Sequence, residues 1–138
     1  MSQLEVDKVI PQSGTNLQIG EAGDTIDLTT PTVNLPTGVG GTSWQAVKTS
    51  SFTAVAGEGY FINTTGGVIT ATLPSSATIG NEVSIIDYAG TADTNNITIG
   101  RNGHNIQGAA SDMTVSTERA AFTLVYVDST QGWLLKDK

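Results

Sequence analysis

Apolar and polar residues alternate along most of this chain, with the period of two that is typical of strands with one buried face. In the first 40 residues the alternation is limited to short segments such as LQI, TIDL and TVNL. After residue 44 it is sustained, and Gly, Asn, Ser and Pro residues interrupt it at regular intervals. Helical spacing is restricted to Leu4–Ile10, which ends at Pro11. The pattern therefore predicts an all-β protein.

Nine short strands are predicted in the second part of the chain. They are Gln45–Lys48, Phe52–Val55, Gly59–Asn63, Val68–Leu73, Glu82–Tyr88, Ile97–Gly100, Asp112–Ser116, Ala121–Tyr126 and Trp133–Lys136. Many short strands at regular spacing are typical of a sandwich or small barrel, so we expect an antiparallel β-sandwich with a jelly-roll-like arrangement. The predicted core residues are Phe52, Tyr60, Ile62, Ile69, Leu73, Val83, Ile85, Ile97, Ile99, Ile106, Val115, Phe122, Leu124, Tyr126 and Trp133.

A glycine-rich stretch, Pro36–Trp44, divides the chain into an N-terminal arm, residues 1–43, and a C-terminal domain, residues 44–138. A segment of about 40 residues is near the lower limit for independent folding, and this one has few large side chains and no cysteine. We therefore expect the arm to be extended and to bury its apolar residues against identical chains or a larger assembly. The predicted contact residues are Val6, Val9, Ile10, Leu17 and Ile19.

Composition narrows the class of protein. The net charge of −7 argues against nucleic acid as the main partner, because phosphate contacts require clustered Lys and Arg. The absence of cysteine excludes disulfides and Cys-type zinc sites. No apolar run is long enough to span a membrane, and the N-terminus does not resemble a signal peptide, so we expect synthesis in a cytoplasm. Charged residues make up only 14% of the chain and 21 residues are Thr, which favours a rigid virion or extracellular protein over a metabolic enzyme.

The only histidine, His104, lies in the stretch RNGHN. No second histidine and no nucleophile motif accompanies it, so we expect no catalytic residues and no cofactor. A histidine beside a type I′ Asn-Gly turn is the favoured interpretation. The alternative is that three copies of His104 meet on a threefold axis and bind a metal or an anion.

Acidic and amide side chains offer two weaker alternatives. Asp87, Asp93, Asn95 and Asn96 carry oxygen ligands suitable for calcium, but their spacing does not match a calcium loop, and turns use the same residues. We therefore expect no metal site. Carboxylate pairs for glycoside cleavage would have to come from Asp87, Asp93, Asp112, Glu118 or Asp128, and a module of this size offers little room for the required groove.

Aromatic residues beside polar loops bind sugars by stacking, and the candidates are Trp44, Tyr60, Tyr88 and Trp133. The chain has only eight aromatic residues, and we expect most of them to lie in the core. Tyr88 is the one expected to be exposed. Trp44 is expected to seal the junction with the arm. The predicted outward recognition loop consists of Tyr88, Arg101, Asn102 and His104.

Several segments carry a resemblance to a known group of proteins. The stretch VIPQSGTNLQIGEAGDTIDL resembles the N-terminal segment of fibre and decoration proteins of tailed bacteriophages, especially phages of aquatic bacteria. The stretches NEVSIIDYAGTADTNNITIGRNGHNIQG and FTLVYVDSTQGWLLKDK resemble the terminal module of the same group. The resemblance implies a non-enzymatic virion protein, usually a homotrimer, attached through its N-terminal part with the β-module outward.

The chain lacks the shaft repeats of a long tail fibre, which favours a short spike, a head fibre or a capsid-decorating (cement) protein. The expected partners are identical chains and the major capsid protein, or tail or portal proteins of the virion. The alternative is a short tail fibre, an adhesin that binds host surface glycan. We expect no nucleic acid and no membrane among the partners.

Overall fold

The computed structural model describes residues 41–136, and within that range the secondary structure consists of strands and one short 3-10 turn at Thr64–Gly66. The strands are β1 (Ser43–Trp44), β2 (Phe52–Thr53), β3 (Glu58–Ile62), β4 (Ile69–Thr72), β5 (Glu82–Asp87), β6 (Ile97–Gly100), β7 (Met113–Val115), β8 (Ala121–Asp128) and β9 (Gly132–Leu135). The prediction of an all-β protein is confirmed for the described residues.

The first six strands alternate between two sheets. The five-stranded sheet has the order β1-β3-β5-β8-β9, and the four-stranded sheet has the order β2-β4-β6-β7. The pairs β1–β3, β3–β5, β2–β4 and β4–β6 are all parallel. The chain therefore winds as a short solenoid of three coils, each with one strand in either sheet. Strands β7, β8 and β9 then add antiparallel pairs to the last coil.

The expected antiparallel, jelly-roll-like arrangement is wrong for the first six strands. Alternation identifies which side chains face the core, but it is the same for parallel and antiparallel neighbours. Parallel neighbours need a crossover connection between them, and here the intervening strand of the opposite sheet supplies it. The two-layer, sandwich-like character of the prediction is retained.

Strand positions agree with the sequence pattern except at the start. The first strand lies at Ser43–Trp44 instead of Gln45–Lys48, and Lys48 forms only an isolated bridge to Ile62. Trp44 pairs with Gly59, so its indole lies over a position with no side chain. The position of the first strand is therefore set by its pairing with β3. Alternation within the first strand does not reveal that pairing.

Side chains from both sheets form one hydrophobic core. Parallel register places similar residues beside each other, as where Ile69 pairs with Ile97. Small Ala71 lies between Phe52 and Ile99, which leaves room for the Phe52 ring. The predicted core residues are all buried except Phe52 and Phe122, which pack partly buried against the others. Burial of each large side chain contributes about 1.5–3 kcal/mol to folding.

The predicted arm, residues 1–43, lies outside the described residues apart from its last three positions. Its proposed contact residues therefore stay predictions: Val6, Val9, Ile10, Leu17 and Ile19. The trimer stays a prediction for the same reason, since a single chain is described.

Candidate functional site

The stretch RNGHN follows β6 and forms a tight turn. Asn102 and Gly103 have φ angles of 47° and 91°, and the His104 amide donates to the Arg101 carbonyl at 3.1 Å. These features fit the expected type I′ turn. Arg101 is held on both sides, because its backbone N–H donates to Asp112 Oδ1 at 2.9 Å and its Nη1 donates to the His104 carbonyl at 3.2 Å.

The polar side chains of this turn contact the neighbouring turn of the solenoid. Asn102 Nδ2 donates to the Leu73 carbonyl at 2.8 Å, and His104 Nε2 lies 3.0 Å from the Ser75 carbonyl. The His104 ring also packs edge-on against Tyr126, with ring centroids 5.0 Å apart. These contacts give the turn an architectural role, in agreement with the favoured interpretation of His104.

Asp87, a candidate for both metal binding and catalysis, is buried and accepts four backbone hydrogen bonds. Its Oδ1 accepts from the amides of Gly90 and Thr91 at 3.1 and 3.4 Å. Its Oδ2 accepts from the amides of Ala92 and Arg119 at 3.3 and 3.0 Å. The carboxylate thus ties two loops to the end of β5, and its oxygens are directed at the protein's own backbone.

Tyr88 follows immediately and is 51% exposed, as the sequence indicated. Its carbonyl accepts from Arg119 Nη1 at 2.7 Å, and the Arg119 side chain lies against Gly90. The backbone that carries the Tyr88 ring is therefore fixed. The assignment of Tyr88, Arg101, Asn102 and His104 to ligand recognition remains a prediction.

The other predicted oxygen ligands also serve the loop. Asn95 and Asn96 each use the amide nitrogen to donate at 2.9 Å, to the carbonyls of Thr64 and Ala92 respectively. Asp93 is exposed and accepts from the hydroxyl of the next residue. Within residues 41–136 no three His, Cys, Asp or Glu side chains are grouped in a way that could hold a metal ion.

The remaining carboxylates proposed for glycoside cleavage lie on exposed turns. Asp128 accepts from the amides of Thr130 and Gln131 at 2.8 and 2.7 Å, which caps the turn between β8 and β9. Asp112 holds the RNGHN turn as described above, and Glu118 is exposed. The structure therefore does not direct these carboxylates into a shared buried cleft.

Glu58, a carboxylate that the sequence analysis did not single out, forms a hydrogen bond with a buried tyrosine. The buried phenol of Tyr60 donates to Glu58 Oε2 and accepts from the Val55 amide at 2.8 Å. Burial and the hydrogen bond to Glu58 together raise the pKa of Tyr60 to about 12. The phenol of Tyr60 is therefore neutral in the folded chain at neutral pH.

We expect the burial of this phenol, together with its bond to Glu58, to give a pH-dependent contribution to stability. The folded pKa of about 12 lies above the ordinary value of 10.0, so the contribution is complete below pH 10 and is lost as the pH rises to 12. Urea unfolding of the wild type and of Tyr60→Phe measures it at a series of pH values. The stability difference between them should shrink across that window, and a constant difference would refute the assignment.

The outward face of the five-stranded sheet carries a groove that sequence reasoning did not identify. Two adjoining depressions of about 420 and 310 Å³ share Thr42 and Ser84. We call the pair the outer groove. Its polar end is lined by Glu58, Asn81, Glu82 and Lys136, and its aromatic end by Trp44, Ile86 and Thr123.

Trp44 forms the wall of the aromatic end and is 47% exposed. The indole lies over Gly59 and stacks on Phe61, with ring centroids 4.9 Å apart and planes inclined by 28°. The sequence assigned Trp44 to the junction with the arm, which lies outside the described residues. The sequence did contain one indication of the groove. Glu82, Ser84 and Ile86 alternate along β5, which places all three side chains on one face of the sheet.

No protein-family model matches this sequence, and no curated protein matches it. No helix among the described residues is both long enough and apolar enough to cross a membrane. The fold and the site together define an all-β domain of two sheets, with a parallel solenoid core and a mixed polar and aromatic groove on one face.

Proposed function

We propose that this protein is a non-enzymatic structural protein of a bacteriophage virion. It is a homotrimeric capsid-decoration (cement) or head-fibre protein, docked by residues 1–43 on the major capsid protein or on tail or portal proteins. The C-terminal β-domain faces outward. The proposal combines the sequence resemblance with the architecture of the described domain.

The observation that carries the proposal is the direction of the chain through the sheet. The chain enters the five-stranded sheet at one edge, in β1, and leaves it at the other edge, in β9. The first strand begins at Ser43, where the predicted arm ends. An arm that attaches the protein would therefore continue directly into the edge strand of the five-stranded sheet.

The polar residues support the same function. Asp87, Asn102 and Asp128 direct their polar atoms at backbone groups of their own domain. Asp87 is buried, and a buried polar group that is satisfied in this way makes a fold rigid and specific, while Asn102 and Asp128 fix exposed turns. Rigidity of this kind suits a protein that is exposed on a particle surface.

We expect deletion of residues 1–20 to abolish incorporation into particles. The deletion removes the five predicted contact residues, and burial of such side chains contributes about 1.5–3 kcal/mol each before ordering costs. Three arms on one trimer would multiply weak contacts into firm attachment. The purified variant is mixed with particles that lack the protein and pelleted, and sedimentation velocity of the unmixed wild type measures its oligomeric state.

The matched control is Tyr88→Ala, which changes an exposed ring in the C-terminal domain. It should pellet with particles as the wild type does. A combined change of Arg101, Asn102 and His104 is not a suitable control, because those side chains hold neighbouring turns. A deletion variant that still pellets, or a wild type that sediments only as a monomer, would contradict the proposal.

A second candidate function is an adhesin that binds host surface glycan. It is favoured by the outer groove, where the half-exposed Trp44 ring stands beside polar side chains. Exposed aromatic rings with adjacent hydrogen-bonding groups suit sugars, which have both apolar ring faces and hydroxyl groups.

A further inference from the structure

We propose that the outer groove is a binding site for an uncharged oligosaccharide, with Trp44 stacked on the face of one sugar ring. This inference rests on the second candidate function, the adhesin, and does not depend on how the protein attaches to a particle. It also moves the site of recognition away from the predicted loop of Tyr88, Arg101, Asn102 and His104.

Trp44 is positioned as a preformed platform. Its strand partner is Gly59, and a Cβ there would lie 2.6 Å from Trp44 Cε3, so the indole rests directly on the sheet. Phe61 supports one side of the ring by stacking, and much of the remaining ring surface is exposed. A rigid aromatic side chain loses little conformational freedom when a ligand stacks on it, which favours binding.

The floor of the groove offers hydroxyl groups with unused capacity. Ser84 Oγ and Thr123 Oγ1 lie 2.9 Å apart and share one hydrogen bond. The two hydroxyls carry two protons between them, and one proton suffices for the bond that they share. The second proton and the remaining lone pairs can serve a sugar hydroxyl, which is both donor and acceptor.

The polar end suits uncharged sugars better than anionic ones. Glu58, Glu82 and Lys136 line it; Lys136 Nζ lies 3.0 Å from Glu82 Oε1, and the Glu58 carboxylate already accepts a hydrogen bond from the buried Tyr60 phenol. Among the described lining residues, two carboxylates and one ammonium leave a negative balance at this end, and the full sequence carries −7. Carboxylates accept strong hydrogen bonds from sugar hydroxyls, and they repel uronic and sialic acids. Both depressions fall in the size range of ligand pockets, about 300–1,000 Å³.

The test uses the full chain and a panel of hexasaccharides. The uncharged probes are cellohexaose, maltohexaose, mannohexaose and chitohexaose, and the anionic probe is hexagalacturonate. Binding is followed by calorimetry and by tryptophan fluorescence. Because Trp133 is completely buried, a ligand-induced change in emission reports on Trp44. At least one uncharged probe should bind saturably, and the anionic probe should not.

Four variants locate the site. Trp44→Ala should weaken binding by about tenfold or more, while Trp44→Phe should keep most of it because the platform is preserved. Thr123→Val should weaken binding by removing the hydroxyl at nearly constant volume. Val68→Ala should leave affinity unchanged, since that exposed side chain lies outside the groove. Thermal unfolding of each variant checks that the fold is kept.

Each other outcome overturns the assignment in a distinguishable way. If no probe and no glycan on an array binds the full chain, the adhesin function itself fails. If an oligosaccharide binds equally well to wild type and Trp44→Ala, the function stands and the groove is the wrong site. If Trp44→Ala instead splits an oligomer of the wild type and no sugar binds, the groove is an interface between copies of the chain.

Discussion

Gly132→Ala should destabilise the domain by about 4 kcal/mol or more, at the severe end for a single substitution. Gly132 has a φ angle of 69°, and a Cβ at this position would lie 1.8 Å from the Asn105 carbonyl oxygen. That oxygen accepts the 2.9 Å hydrogen bond from the Trp133 amide, so relief of the clash must separate β9 from residue 105. Trp133, which is fully buried, would be displaced with it. Urea unfolding followed by circular dichroism measures the loss.

Gly80→Ala is the matched control for this prediction. Gly80 also has a left-handed φ angle, 87°, but no atom lies within 4 Å of its added Cβ. The control should therefore cost only the conformational strain of a non-glycine residue, about 1 kcal/mol. The difference between the two variants isolates the backbone clash. If both unfold at the same urea concentration, the close approach of β9 to residue 105 is not as described.

Asp87→Ala should destabilise the domain by about 3 kcal/mol or more, because it leaves four backbone donors without their acceptor, one of them buried and three partly buried. The carboxylate accepts from four amides, three in the loop after β5 and one at Arg119. Arg119 has a φ angle of 58°, an uncommon value for a residue with a side chain, and the bond to Asp87 helps to hold it there. Loss of the carboxylate should therefore loosen both loops. Chemical unfolding gives the magnitude, and amide hydrogen exchange locates the effect.

Asp93→Ala serves as the control for the second prediction. Asp93 lies in the same loop but is exposed, and its hydrogen bond is to the hydroxyl of Thr94. Its substitution should change stability by less than about 0.5 kcal/mol. Equal effects of the two substitutions would mean that the buried carboxylate does not organise the loops.

Alternation was sufficient to predict most strands and nearly all of the core, because burial on one face of a strand is a local property. Ile97 and Ile99 on β6 are typical, since both face inward and both are buried. Whether neighbouring strands run parallel or antiparallel could not be predicted in the same way. It depends on which distant segment lies alongside, and Ile69 beside Ile97 satisfies the same alternation as an antiparallel pair would.

The candidate site was harder to predict from the sequence than the fold. Residue type alone does not separate an Asp that binds a ligand from one that binds its own loop, and Asp87 belongs to the second kind. The outer groove spans β1, β3, β5 and β8, which lie side by side only through pairing between segments that are distant in the sequence. Its central residues, Ser84 and Thr123, are therefore unremarkable in the sequence and become neighbours only in the sheet.

Because the coils stack on one another, the height of this domain can change only by whole coils. Neighbouring strands in a sheet lie about 4.8 Å apart, so each complete coil adds one such increment along the axis of the stack. The connections at residues 63–68 and 88–96 lie between strands of opposite sheets, and their lengths do not enter that axial spacing. Gene duplication of a coil would thus lengthen the projection by one fixed step, whereas loop insertions would broaden it and leave its reach unchanged.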